Sequence, residues 1–296
     1  MTKNTFSKNN NTKWFDENQN GARYGLKGSL IIEEESNYQK ITIIETKKYG
    51  KALLLNNCWM TAEHQEKSYH ECLVHPALTG AKEIRKVLII GGGDGGSLRQ
   101  CLLYKEVECI DLVEIDNRVI EICQEHLANI AEKSWEDPRV NIQIKDGIKW
   151  VSNSKDNSYD VIIIDGADPD GPAKNLFKKS FFKNCHRILR NGGVFASQTE
   201  SPEAFLDVHI KTVKNLRKIF KYADPCYGSV PIYPSGWWSW TFAASDKARY
   251  LSPMKIRTSQ IAQSCDVWST RWQKGAFEAM PAFIERKLQN QKEINL

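Results

Sequence analysis

The chain has 296 residues, 41% of them hydrophobic and 26% charged, and a formal net charge of +5. This is the composition of a soluble globular protein long enough for one large domain or for a large and a small one. The charge is modest and the lysines and arginines form no blocks, which argues against a nucleic-acid partner.

No apolar run approaches membrane-spanning length, and the Asn-rich start "MTKNTFSKNNNTK" lacks the apolar core of a secretory signal. A cytoplasmic protein without a membrane partner is expected. The cysteines stand at 58, 72, 101, 109, 123, 185, 226 and 265. None forms a C-x-x-C pair, so buried free thiols are expected rather than a disulfide framework or a zinc site.

In chain order, residues 1–20 read as a polar arm in which Trp14 and Phe15 are out of place. Residues 21–80 read as a small antiparallel β domain followed by a helix. Its strand segments are "SLIIEE", "YQKITIIET" and "KALLLNNCWM", and the helix falls within "AEHQEKSYHECLVHPALTG".

Residues 81–296 alternate strands with helices, the pattern of a doubly wound, mostly parallel Rossmann-like sheet of the class I methyltransferase type. The predicted strands are "KVLIIGG", "CIDLVEID", "VNIQIKD", "YDVIIIDG" and "GGVFASQ". Ile120, Cys123, Leu127 and Ile130 predict one amphipathic helix; Phe177, Phe181, Cys185 and Ile188 predict another. A third carries Leu206, Ile210, Val213 and Phe220, and "SWTFAAS" reads as a late edge strand.

The first strand of this sheet runs into "GGGDGGS", where Gly91, Gly93 and Gly96 satisfy G-x-G-x-x-G between a strand and a helix. Such a loop brings backbone amides close to a ligand. Glu114 closes the next strand about 20 residues on, where an acid binds ribose hydroxyls in nucleotide folds. A tight turn with a surface glutamate is the bland alternative. Asp94 lies inside the loop, however, and its carboxylate would repel a pyrophosphate and attract a cation. Acids also end the third and fourth strands, at Asp146 and at Asp165 with Asp168. Ligands of open α/β sheets bind outside those strand ends, so an adenosyl sulfonium ligand in an anionic crevice is expected.

The segments "VLIIGGGDGGSLRQ", "VEIDNRVI", "KDGIKW", "DGADPDGPAKNLF" and "VPIYPSG" together resemble the successive motifs of the spermidine synthases, the polyamine aminopropyltransferases. The resemblance runs from Trp14 to about Lys287. It implies transfer of the aminopropyl group of decarboxylated S-adenosylmethionine to putrescine, giving spermidine and methylthioadenosine. The donor is then a co-substrate, and neither cofactor nor metal is implied. It also implies a homodimer or homotetramer acting on a small-molecule amine.

Carried onto this chain, the resemblance implies that Asp94 holds the donor ammonium in the loop of Gly91, Gly93 and Gly96, and that Glu114 holds the ribose. Asp146 and Gly147 would read the adenine edge, with Ile115, Pro172, Ala173 and Leu176 on its faces. Asp165 would deprotonate the attacking amine beside Tyr69. Asp168, Tyr233, His70, Gln198, Glu200 and Trp238 would line the acceptor side, and Trp14 would close over it. Independently of the family, a diamine is dicationic near neutral pH, so its nucleophilic nitrogen must shed a proton before attack, and a carboxylate suits that task.

The chain departs from the family pattern in places. Gly166 and Ala167 replace hydroxyl-bearing residues, and "GWWSW" predicts a tryptophan-rich acceptor wall that would suit another amine, such as agmatine, cadaverine or a triamine. The family's glutamine in the N-terminal hairpins has no evident counterpart. The rival enzyme is a polyamine N-methyltransferase using intact S-adenosylmethionine, whose carboxylate Asp94 would repel. The rival from another class is a non-catalytic module that senses adenosyl or polyamine ligands, which has no need of Tyr69, Asp165 and Asp168 together. His64, His70 and His75 are close in sequence but form no metal signature in "YHE". His186 and His209 read as structural, and Asp116 and Asp170 as turn or solvent acids.

Overall fold

The computed structural model describes residues 12–167 and 171–290. Five antiparallel strands form a meander: β1 (Lys13–Gln19), β2 (Ala22–Glu35), β3 (Lys40–Thr46), β4 (Gly50–Leu55) and β5 (Cys58–Ala62). Two hairpins turn on two-residue loops with both residues at positive φ, Asn20-Gly21 (50° and 84°) and Asn56-Asn57 (50° and 64°). That backbone matches the right-handed twist of the flanking strands. "KALLLNNCWM", read as one segment, is therefore a hairpin.

The polar arm predicted to residue 20 also needs correction. Residues 13–19 pair with β2, Trp14 opposite Lys27 and Phe15 opposite Leu26. The composition misled because β1 buries one face only, Phe15 and Glu17, and Glu17 accepts a hydrogen bond from the Trp59 backbone N–H at 2.9 Å. Trp14 is 58% exposed on the other face and does not line the cavity described below.

After α1 (Lys67–Gly80) come β6 (Lys86–Gly91), α2 (Gly96–Leu102), β7 (Cys109–Glu114), α3 (Asn117–His126), α4 (Ala128–Ala131), β8 (Val140–Ile144), α5 (Gly147–Asn153) and β9 (Tyr159–Asp165). The chain continues through α6 (Lys179–Ile188), β10 (Leu189–Gln198), α7 (Leu206–Arg217), β11 (Tyr222–Ser229) and β12 (Trp237–Ala244) to α8 (Lys255–Ile261), α9 (Thr270–Glu278) and α10 (Ala282–Gln289). No helix among the described residues is long and apolar enough to cross a membrane.

The second sheet has the order β11-β12-β10-β9-β6-β7-β8, with β10, β9, β6, β7 and β8 parallel and β12 and β11 antiparallel, which is the doubly wound α/β architecture expected. "SWTFAAS" belongs to β12, which is interior rather than an edge strand. The edge is β11, whose Pro225 makes the sequence read as a loop but is tolerated where one side of the strand has no partner. The helix over Ile120 to Ile130 breaks at Leu127 (φ −120°, ψ 30°) into α3 and α4, although all four stripe residues stay buried. Phe177 precedes α6, in a 3₁₀ segment (Gly171–Phe177), and Phe220 lies beyond α7.

Two packing facts position the site. Strands β7 and β9 flank β6 on opposite sides, so the crossovers diverge there and leave a crevice at the carboxyl ends; the register sets Gly91 beside Asp165. The first sheet covers this crevice, because Ile41, Ile43 and Leu53 pack on Val119, Ile122 and Leu127 of the α3–α4 region. That buried apolar contact fixes one sheet over the other.

Candidate active site

Between the two sheets lies a cavity of about 200 Å³. One wall is apolar: Leu53 and Leu55 come from β4, Ile90 and Val113 from the parallel sheet, and Ile148 and Leu176 from the segments after β8 and β9. The other wall carries the acids Asp94, Glu114, Asp146 and Asp165. No lysine or arginine lines the cavity among the described residues. Such a site repels phosphate and favours a cation with a flat apolar body.

The glycine loop is shaped by two close approaches. Gly91, at φ 84°, faces the Asp165 carbonyl oxygen, and Gly96 faces the His70 ring; a Cβ at either would fall well inside van der Waals contact. Asp94, between them, accepts from the Gly96 backbone N–H through Oδ1 at 2.9 Å, while its Oδ2 lies 3.3 Å from His70 Nε2. Burial opposes its ionisation, yet the His70 charge and these hydrogen bonds outweigh burial and hold the carboxyl below the ordinary aspartate value.

Asp165 is the counterpart on β9. Burial pushes its carboxyl up and Asp94 adds to the rise, against the opposing influence of His70, Ser97 and Tyr69. Its Oδ2 is buried without a hydrogen-bond partner among the described residues. A buried carboxylate oxygen left unpaired is costly, and an ammonium ligand would satisfy it. The Tyr69 phenol beside it is raised well above its usual value, by burial first and then by the Asp165 charge, so it stays a hydrogen-bond donor. Tyr69 and Tyr233 meet edge to face with ring centres 5.7 Å apart.

Glu114 is 8% exposed and accepts from the Asp116 backbone N–H at 2.9 Å. Burial pushes its pKa up to about 7, against the backbone hydrogen bonds and with the help of the Asp116 and Asp165 charges. Asp146 caps α5, its Oδ1 accepting from the backbone of Ile148 (2.8 Å) and Lys149 (3.3 Å). Gly147 faces Ile90 too closely for a side chain, its Cβ falling 2.5 Å from Ile90 Cγ2. Asp116 is a cap as well, but buried rather than solvent-facing.

Most of the predicted residues therefore converge. Tyr69, His70, Gly91, Gly93, Ile115, Ala173 and Tyr233 line the same cavity as the four acids, whereas Gly96 packs against the His70 ring and does not line it. Asp168 and the side chain of Pro172 lie outside the described residues.

Four further predicted residues do not reach the cavity. Trp14 faces away, as described. Trp238 is 3% exposed behind Tyr233, ring centres 4.5 Å apart, because β12 is interior and its tryptophans meet protein on both faces. The tryptophan-rich acceptor wall is thus a second layer. Gln198 and Glu200 are also behind the wall, where Gln198 Nε2 donates to Glu200 Oε1 (3.0 Å) and to the Gly166 carbonyl (3.4 Å), leaving the Gly166 backbone between them and the cavity. Glu200 is fully buried at φ 70°, a costly backbone for a non-glycine residue.

Two features escaped the sequence reading. Gln39, at the end of the β2–β3 turn, lines the cavity and donates to Asp116 Oδ2 at 3.0 Å. Only the hairpin register brings it there. Beneath His70, Glu66 accepts from the ring at 2.7 Å and from Arg99 Nη2 at 2.6 Å. The i to i+4 spacing of Glu66 and His70 on one helix was the available signal.

Comparison with known proteins gives a consistent picture. Residues 66–252 match the family model described as spermine/spermidine synthase domain, and residues 13–63 match the spermidine synthase tetramerisation domain. A polyamine aminopropyltransferase of Prochlorococcus marinus (strain SARG) is 64% identical over 283 residues, 96% of this chain and 99% of that one. Another, from strain NATL2A of the same species, is 62% identical over 94% of this chain and 96% of its own length. Among solved structures, spermidine synthase from Thermotoga maritima is 32% identical with a TM-score of 0.87. A spermidine synthase in complex with the transition-state analogue AdoDATO is 32% identical with a TM-score of 0.88. Each of these two similarities covers 93% of this chain and 94% of the other.

Proposed function

We propose that this chain, which belongs to the spermine/spermidine synthase family and is an aminopropyltransferase, moves the aminopropyl group of decarboxylated S-adenosylmethionine to putrescine. The products are spermidine and methylthioadenosine. The observation that carries this reading is Asp165 Oδ2, buried and without a hydrogen-bond partner among the described residues, in a cavity lined by four acids and, among the described residues, by no lysine or arginine.

In this reading Asp94 takes the donor ammonium and Glu114 the ribose hydroxyls. Asp146 and Gly147 read the adenine edge, with Ile115, Ala173 and Leu176 on the ring faces. The diamine enters past Tyr233, and Gln39 supplies the glutamine of the N-terminal hairpins. Its nitrogen attacks the methylene carbon bonded to the sulfonium. The N–C bond forms as the C–S bond breaks, the sulfur keeps the bonding pair as a neutral thioether, and the amine proton passes to Asp165. Tyr69 aims the lone pair. A neutral leaving group needs no Lewis acid, so positioning and charge attraction supply the acceleration. The protein acts in the cytoplasm as a homodimer or homotetramer assembled through the first sheet.

Calorimetric titration tests the donor site. At about pH 8 decarboxylated S-adenosylmethionine is expected to bind at least roughly tenfold tighter than the intact molecule, whose carboxylate meets Asp94. Its affinity is expected to fall as the pH drops through about 7, because ionised Glu114 accepts from both ribose hydroxyls through its two oxygens, whereas the protonated form favoured below that value turns one oxygen into a donor. Equal affinity for the two donors would defeat the assignment of Asp94.

A further inference from the structure

Below the glycine loop His70 sets both ring nitrogens against carboxylates, Nδ1 2.7 Å from Glu66 Oε2 and Nε2 3.3 Å from Asp94 Oδ2. A neutral imidazole has one N–H and one lone pair, so it would turn that lone pair toward an anion. Only the imidazolium donates to both. Glu66 is 3% exposed, and its other oxygen accepts from Arg99 Nη2 at 2.6 Å. Arg99 is anchored in turn, donating through Nη1 to the Ile130 carbonyl at 2.6 Å. A line of alternating charge therefore runs from Arg99 through Glu66 and His70 to Asp94.

On the cavity side the same ring serves a second carboxylate. Ligand atoms of His70, Asp94 and Asp165 all lie within 4.8 Å of one another. Two carboxylates this close repel, and one of them takes up a proton unless a cation is near both. The charged and titratable groups facing the ring are Glu66 at the N-cap of α1, Tyr69 from α1, Asp94 from the loop and Asp165 from β9, with Arg99 of α2 behind Glu66.

We propose that Glu66, braced by Arg99, is a positioning residue that keeps His70 as an imidazolium, and that this fixed cation lets Asp94 and Asp165 coexist as carboxylates at neutral pH. The consequence for the reaction is that Asp94 can hold one ammonium while Asp165 remains free to accept a proton from another. Glu66 touches neither substrate in this scheme. It acts through His70.

Two measurements on the full chain test this, comparing wild type with Glu66→Gln and Glu66→Asp. Ring-nitrogen NMR of the substrate-free protein is expected to find His70 doubly protonated at about pH 7 in the wild type. In Glu66→Gln its titration should fall by about one pH unit or more, and Glu66→Asp should recover part of the shift. The acid limb of kcat/KM for the amine should move to higher pH in Glu66→Gln by a similar amount, because the carboxylate pair loses its counter-cation. His70→Gln should show the same displaced limb, with no further displacement in the double variant.

A singly protonated His70 in the wild type at neutral pH overturns the proposal. So does a Glu66→Gln variant that loses stability while both titrations stay in place. The kinetic arm rests on the aminopropyl-transfer reading and the NMR arm does not. A shifted His70 titration without amine transfer therefore supports the charge chain and defeats the transfer reading alone.

Discussion

Asp165→Asn is expected to lower kcat for amine transfer by about 10²–10⁴-fold, the usual span for removing a positioned general base. Asparagine keeps the size and one acceptor oxygen of the side chain but cannot take the proton that the attacking ammonium must lose. Stability should move the other way. The native carboxyl is buried, raised by that burial and by the Asp94 charge, and leaves Oδ2 without a hydrogen-bond partner among the described residues. Removing that charge is expected to hold or raise the melting temperature of the empty protein, as when a site is arranged for chemistry at the expense of stability. Turnover measured beside a thermal melt separates the two effects. A variant within tenfold of wild-type kcat would remove Asp165 from the role of base.

The second large effect is steric. Gly91 and Gly21 share the same φ, 84°, yet a Cβ at Gly21 meets nothing within 4 Å whereas one at Gly91 collides with the backbone oxygen of Asp165. Gly21→Ala should therefore cost only the left-handed strain, about 1 kcal/mol. Gly91→Ala adds an overlap with main chain that no rotamer relieves, and is expected to cost about 3 kcal/mol or more. Because β6 and β9 are paired at this point, the shift that relieves the clash also displaces Asp165. Donor affinity should fall along with stability. Chemical denaturation of the two variants side by side is the check, and equal losses would mean that the loop yields more easily than its packing indicates.

Legibility in the sequence followed the range of the interactions involved. The parallel strands, the glycine loop and the acids at the strand ends were readable because each rests on neighbours in the chain: an apolar run, a turn signal, a carboxylate at or within three residues of a strand end. The crevice followed from the topology, since parallel strands deliver their carboxyl ends to one side. Features that depend on distant partners were not readable. Strand β1 looks like a disordered arm because the groups that bury Phe15 and receive Glu17 lie on other strands. Strand β11 is disguised by Pro225, and once it takes the edge, β12 becomes interior and Trp238 becomes backing for Tyr233. Gln39 reaches the site only through hairpin register, and the pairing of Arg99 with Glu66 spans 33 residues and two helices.

One geometric theme connects these results. The first sheet contributes no cavity acid among the described residues, yet it supplies the apolar cover and Gln39; the acids all come from the carboxyl end of the second sheet or the loop beside it. The second sheet thus supplies every acid and part of the apolar lining, and the first sheet closes the cavity over them. Their separation is set by the contact of β3 and β4 with the α3–α4 region.

Mass spectrometry can identify the products after the purified chain meets decarboxylated S-adenosylmethionine and equimolar putrescine, cadaverine, agmatine and spermidine, with intact S-adenosylmethionine as a parallel donor. Spermidine and methylthioadenosine are expected in equal amounts, with putrescine consumed ahead of the other amines and no methylated product. Preferential use of another amine would contradict the acceptor assignment, and a methylated amine, or no methylthioadenosine at all, would contradict aminopropyl transfer at this site.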